Sequence, residues 1–104
     1  MPAIVRSGVD RSAEHDHNPG GQIEPPANRV FTGGSPNVFL EGHNLIRVTD
    51  KTICGDEAAS GSANVFVNGL AAHRIGDTIT VHPGGSPATT VAESVGAACT
   101  IVAN

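Results

Sequence analysis

The stretch from Gly61 to Asp77 reads G-S-A-N-V-F-V-N-G-L-A-A-H-R-I-G-D. Asn64 to Val67 has strand propensity, and Asn68-Gly69 is a strong two-residue hairpin turn because both positions tolerate positive φ. The chain returns through Leu70 to Ile75 and meets Gly76-Asp77, again a turn pair. One hairpin closed by an Arg-x-x-Asp step is therefore expected here.

The same unit recurs. G-S-P-N-V-F-L-E-G, Gly34 to Gly42, copies the hairpin with Glu41-Gly42 as a weaker turn, and N-L-I-R-V-T-D, Asn44 to Asp50, copies the arginine step. A-I-V-R-S-G-V-D, Ala3 to Asp10, is a third arginine step with one extra residue, and G-S-P-A-T-T-V, Gly85 to Val91, reads as a third hairpin start. Repetition at this scale means one supersecondary unit stacked about a common core. The expected fold is all-β: short hairpin repeats in a pseudo-three-fold arrangement over residues 1–104, forming a small cone as a single domain.

Composition agrees and excludes several classes. The 104 residues hold 13 Gly and 7 Pro, which leave little room for a long helix, and only 3 Phe with no Trp or Tyr. A chain this short buries roughly two-thirds of its unfolded surface, so its core is thin and something besides apolar burial is expected to support it. The net charge of −4, with scattered Lys and Arg, offers neither a basic stripe nor a stacking platform, which argues against nucleic acid. Neither a signal peptide nor a membrane span is expected, because the apolar runs are only a few residues long. Two cysteines in such a chain are more often thiols or ligands than a disulfide, although Cys54 with Cys99 is formally possible.

The residues just past each Asp point to a metal. His15 comes five residues after Asp10, Cys54 four after Asp50 and His82 five after Asp77. One phase of a three-fold repeat would bring these side chains together where the loops meet. His17 lies two residues beyond His15, on the same side of an extended segment. His15, His17, Cys54 and His82 make a His₃Cys set, which suits tetrahedral zinc with no open position. One structural zinc per monomer is expected, contributing ~10 kcal/mol or more of apparent folding free energy. Cys99 is the alternative to His17 as fourth ligand, and otherwise a small thiol in the strand-like run Ala97 to Val102. Glu14 and Asp16 flank the histidines as candidate supporting groups or solvated carboxylates.

Ala71-Ala72-His73-Arg74-Ile75-Gly76-Asp77, preceded by Asn64-Val65-Phe66-Val67-Asn68-Gly69, resembles the signature of PAAR-repeat proteins, the zinc-capped spike tips of contractile injection machines. That signature is Pro-Ala-Ala-Arg, a hydrophobic residue and Gly-Asp after a strand ending in Asn-Gly. None of the three copies here spells the tetrapeptide in full, and the segment from Pro19 to Ala27 is long and Pro-rich. The resemblance implies a β-cone on the blunt end of a trimeric β-helical spike protein (VgrG-like or a phage central spike), one monomer per homotrimer, with zinc at the apex. It implies a membrane-piercing structural role, not an enzyme, with only transient contact with the target membrane and no small-molecule substrate. Such a tip is made in the bacterial cytoplasm, assembled on a phage tail or type VI secretion spike, and delivered to the target envelope. The unusual repeats and absence of a recognisable effector segment favour the phage-like form. Val38-Phe39-Leu40 and Val65-Phe66-Val67 are expected to contribute to the spike-binding face.

The remaining residues have plainer readings. His43 and His73 fall outside the ligand phase and are expected at the surface or in hydrogen bonds. The spacing of Arg6, Arg47 and Arg74 to their Asp residues favours structural pairing over an anion site. Two rival functions stand beside the spike tip. A cupin-like metalloenzyme would use His15, His17 and Glu24, with poor spacing and no use for Cys54; a metal-free scaffold would need the repeats only as architecture.

Overall fold

The computed structural model describes residues 3–12, 16–17, 22–23, 26–80, 88–91 and 101–102. Among the described residues twelve short strands run in order: β1 (Arg11–Ser12), β2 (Asp16–His17), β3 (Gln22–Ile23), β4 (Phe31–Thr32), β5 (Phe39–Leu40), β6 (His43–Asn44), β7 (Lys51–Thr52), β8 (Glu57–Ala58), β9 (Phe66–Val67), β10 (Leu70–Ala71), β11 (Thr78–Thr80) and β12 (Ala88–Val91). A 3₁₀ turn at Pro26–Asn28 is the only helix among the described residues.

The three arginine steps form the centre. Val5 N donates to His73 O (2.9 Å), His73 N to Ile46 O (3.0 Å) and Ile46 N to Val5 O (3.1 Å), a closed ring of three backbone hydrogen bonds. The flanking bridges Arg6↔Leu45, Arg47↔Ala72 and Ile4↔Arg74 obey the same cyclic rule, each arginine meeting the first residue of the next segment. A pseudo-three-fold axis therefore passes between Val5, Ile46 and His73.

Alternation along these segments separates two apolar layers. Ile4, Leu45 and Ala72 join Leu40 and Val67 in one cluster, while Val5 and Ile46 join Phe31, Ala58 and Ile79 in the other. His73 occupies the place of Val5 and Ile46 and is fully buried, its ring 5.4 Å from Phe31 and its Nδ1 2.7 Å from the Ser60 carbonyl. The surface reading of His73 is thus corrected, while its hydrogen-bonding role stands. Alignment on the ring, rather than on the tetrapeptide, reveals that its position is apolar in the other copies.

Each arginine is locked into its turn by one repeated pattern. Asp50 Oδ2 accepts from Arg47 N and Nε, and Oδ1 accepts from Nη2; Asp10 does the same for Arg6 and Asp77 for Arg74. The structural-pairing reading of the three arginines holds.

Beyond the ring, the chain makes a closed six-stranded antiparallel sheet in the order β1-β12-β11-β8-β7-β4, with the Arg11↔Val30 bridge joining the last strand region to the first. That bridge covers the two end strands of the sheet among the described residues. On the other side of the ring stand two hairpins, β5–β6 and β9–β10. Both turns have positive φ at both central residues, Glu41 (52°) with Gly42 (85°) and Asn68 (55°) with Gly69 (81°), as a type I′ turn requires. Leading into them, Ser35 and Ser62 accept the amides two and three residues ahead, which confines the strands to Phe39–Leu40 and Phe66–Val67, shorter than the sequence suggests. Gly61 is required because a Cβ there would lie 2.6 Å from Ala72 O.

The third hairpin is not where the sequence placed it. Ala88–Val91, within the expected start at Gly85 to Val91, is β12, paired with both β11 and β1 in the closed sheet. The third unit is assembled from separate segments: Ile101 O accepts from Ile4 N, as Val38 O does from Leu45 N and Val65 O from Ala72 N, and Val102 bridges Ala3. The body measures 37 × 27 × 24 Å.

Candidate functional site

Cys54 lies in the four-residue connection between β7 and β8. Thr52 N donates to Asp56 O, Gly55 N to Thr52 O, and Gly55 adopts φ 100°, so the turn is tight and backbone-closed. A second segment lies against it: Ile53 N donates to Val30 O and Cys54 N to Asn28 O at 2.8 Å. The long excursion between β1 and β4 is thereby tied to the Cys54 turn.

The half-buried Cys54 carries a thiol in the absence of metal. Its Sγ is 3.3 Å from Asp56 Oδ2 and 3.3 Å from Thr52 Oγ1. Burial, with the neighbouring Asp56 carboxylate, pushes the thiol up to about 11 against the opposing Thr52 hydrogen bond. At neutral pH the sulfur holds its proton, and a metal would have to displace it.

Beneath the sulfur is a buried polar layer that sequence reasoning missed. Asp56 and Ser12 are fully buried, Ser12 Oγ donates to Asp56 Oδ2 at 2.8 Å, Asp56 N donates to Thr52 Oγ1, and the buried Arg29 donates from Nη1 to Ser12 O. These bonds link β1, β7 and the segment before β4. The signal available was the short Cys54-Gly55-Asp56 turn, whose Asp is forced close to the cysteine.

Of the other expected ligands, His15 and His82 lie outside the described residues, as does the alternative Cys99. His17 is placed by its backbone alone, in β2 opposite Gln22 of β3. Glu14 and Glu24 also lie outside the described residues. Among the described residues no three His, Cys, Asp or Glu side chains form a metal-sized group. The strands that precede the candidates do correspond: β1, β7 and β11 each come directly after the Asp of an arginine turn and leave the ring in the same direction. His15 lies three residues past the end of β1, and Cys54 and His82 lie two past the ends of β7 and β11.

The opposite end is apolar and exposed. Phe39 (57% exposed) and Phe66 (61%) point outwards from β5 and β9, while their neighbours Leu40 and Val67 enter the core. Val102 (44%) holds the corresponding place in the third unit, next to Ile101, which bonds Ile4 as Val38 and Val65 bond Leu45 and Ala72. Both segments expected to contribute a contact face therefore present one aromatic ring each. No helix among the described residues is long and apolar enough to cross a membrane.

No curated protein matches the chain. The family model described as the PAAR motif matches residues 13–82, about two-thirds of the sequence, and spans the complete Arg47 and Arg74 turns, both type I′ hairpins and the Cys54 connection. With its repeated arginine turns, closed small sheet and hairpin end, the chain belongs to the PAAR-motif family.

Proposed function

We propose that this protein is the tip of a contractile injection spike, seated by its hairpin end on the blunt end of a trimeric β-helical spike protein and clasped at the other end by one zinc. The observation that carries this reading is the polarity of the pseudo-three-fold body. Phe39, Phe66 and Val102 occupy matching exposed positions at one end, and the strands leading to His15, Cys54 and His82 depart from the ring towards the other. A monomer with three similar faces suits three identical chains, whose strand ends it would extend and cover.

The residues present fit a zinc by donor chemistry. Cys54 supplies one thiolate once its proton is displaced, and His15, His17 and His82 supply imidazoles, a closed set with no position for substrate water. The metal would cross-link the loops that carry these residues, at the place where axial load enters. Cys54, fixed by its amide bond to Asn28 O and by its turn, is held ready for that set. The PAAR fold takes the place of the cupin-like barrel, and a role without chemistry accords with the family.

Metal analysis of the untagged protein by native mass spectrometry tests the clasp. One tightly held zinc per chain, lost together with thermal stability in Cys54→Ser, is the expected result. A metal-free chain with undiminished stability would overturn the clasp and favour the scaffold reading.

A further inference from the structure

The three arginine turns are alike in their bonds to aspartate and differ in what meets the remaining nitrogen, Nη1. Arg6 Nη1 donates to Glu41 Oε1 at 3.1 Å, and Arg47 Nη1 donates to Asn68 Oδ1 at 3.2 Å. Glu41 and Asn68 each open a type I′ turn, so they stand at matching places in their hairpins. Each of these arginines also bridges to the unit that supplies its acceptor, Arg6 to Leu45 and Arg47 to Ala72. By the same rule Arg74 bridges to Ile4, in the unit of Val102. Arg74 gives Nε and Nη2 to Asp77, and among the described residues no acceptor meets its Nη1. The docking face thus carries at three related places a carboxylate, an amide and the edge of a guanidinium. All three are open to solvent to some degree: the Glu41 side chain is 36% exposed, that of Arg74 20%, and Asn68 is exposed.

We infer that each chain of the trimeric spike meets these places with a side-chain amide, an Asn or a Gln, and not with a charged residue. The inference rests on the docking reading above, in which three identical chains present one and the same group at all three places. A carboxylate that pairs with Arg74 would face Glu41 at another place, and an ammonium that pairs with Glu41 would face Arg74. Like charges brought together across an interface cost affinity steeply. An amide holds its donor and its acceptor on separate atoms. Its N–H donates to Glu41, its oxygen accepts from Arg74 Nη1, and it exchanges both kinds of bond with Asn68. An amide also reaches farther than a hydroxyl, which suits a guanidinium set back in the surface. The fold itself uses this chemistry at the second place, where Asn68 Oδ1 accepts from Arg47 Nη1 and Asn68 Nδ2 donates to Asn37 Oδ1 at 3.1 Å.

The experiment is a calorimetric titration of a trimeric β-helical spike that binds the parent chain, repeated with full-length Glu41→Gln, Asn68→Asp, Arg74→Lys and Arg47→Lys. Glu41→Gln removes one charge and Asn68→Asp adds one, and each keeps an oxygen at its place. Both are expected to bind within about threefold of the parent. Arg74→Lys loses the outward Nη1 and is expected to weaken binding about tenfold. Arg47→Lys loses the same kind of turn bonds, but its Nη1 serves Asn68 within the chain, so it is expected to stay within about threefold. A larger shift in either charge variant would mark a charged partner and overturn the inference, as would an Arg74→Lys chain that binds no more weakly than Arg47→Lys. If a lysine variant fails to fold, Glu41→Gln and Asn68→Asp decide the question alone. A parent chain that binds no trimeric β-helical spike would instead overturn the docking reading and the inference with it.

Discussion

The amide of Val5 donates to the carbonyl of His73 at 2.9 Å, joining the first arginine step to the last and closing the ring on which the three units are built. Because His73 takes the place of Val5 and Ile46 at this axis, the core contains one titratable ring where its copies are aliphatic.

Burial holds His73 below its usual value, against the opposing effects of the Ser60 carbonyl and the Asp77 and Asp50 charges and with a smaller lowering effect from Arg74. A group whose folded pKa is depressed gives stability that is full above its unfolded value, about 6.5, and is lost as pH falls towards the folded value. The melting temperature should drop as the pH falls below about 6.5. His73→Val should flatten that limb, at the cost of about 1 kcal/mol for the lost bond to Ser60 O. A parent curve flat over this range would contradict the assignment of a buried neutral ring.

The three arginine turns share one geometry but differ in burial. The Arg6 and Asp10 side chains are 8% and 0% exposed, against 20% and 11% for Arg74 and Asp77. Asp10→Asn should therefore cost about 3 kcal/mol, since the buried guanidinium then has the more exposed Glu41 carboxylate in place of the fully buried Asp10 charge, and Asp77→Asn about 1 kcal/mol. Urea unfolding of the two variants compares them directly.

Thr49 adopts φ 86°, a left-handed conformation that a β-branched residue rarely takes, where the Arg6 and Arg74 turns have Gly8 (78°) and Gly76 (91°). Its side chain is exposed, so little packing is lost by removing it. Thr49→Gly should stabilise the protein by about 1 kcal/mol, raising its melting temperature.

Phe39 and Phe66 are exposed and outside both apolar clusters. Replacing both with Asp should change monomer stability by less than about 1 kcal/mol while abolishing binding to the trimeric spike. Size-exclusion chromatography of the mixture, beside thermal melting of the variant alone, separates the two effects.

The parts legible in the sequence were those written locally. Asn68-Gly69 and the Arg-to-Asp spacing specify their turns through residues close together in the chain, and the structure has both as expected. The third hairpin was not legible because Ala3 and Val102 come from distant segments, and the Gly85-Ser86-Pro87 start copies the sequence of a hairpin without its place in the ring. The buried Asp56–Ser12 bond was hidden for the same reason, since nothing near Ser12 announces a partner in the Cys54 turn. Cys54 was singled out by its phase after Asp50; the strand before it, β7, runs in the same direction as β1 and β11, while the side chains of His15 and His82 lie outside the described residues.

Stoichiometry tests the central claim most directly. Native mass spectrometry of the protein mixed with a trimeric β-helical spike should give one copy of this chain per three spike chains, since three pseudo-equivalent faces meet three identical ones. Three copies per trimer, or no complex under conditions where both components are folded, would contradict the account.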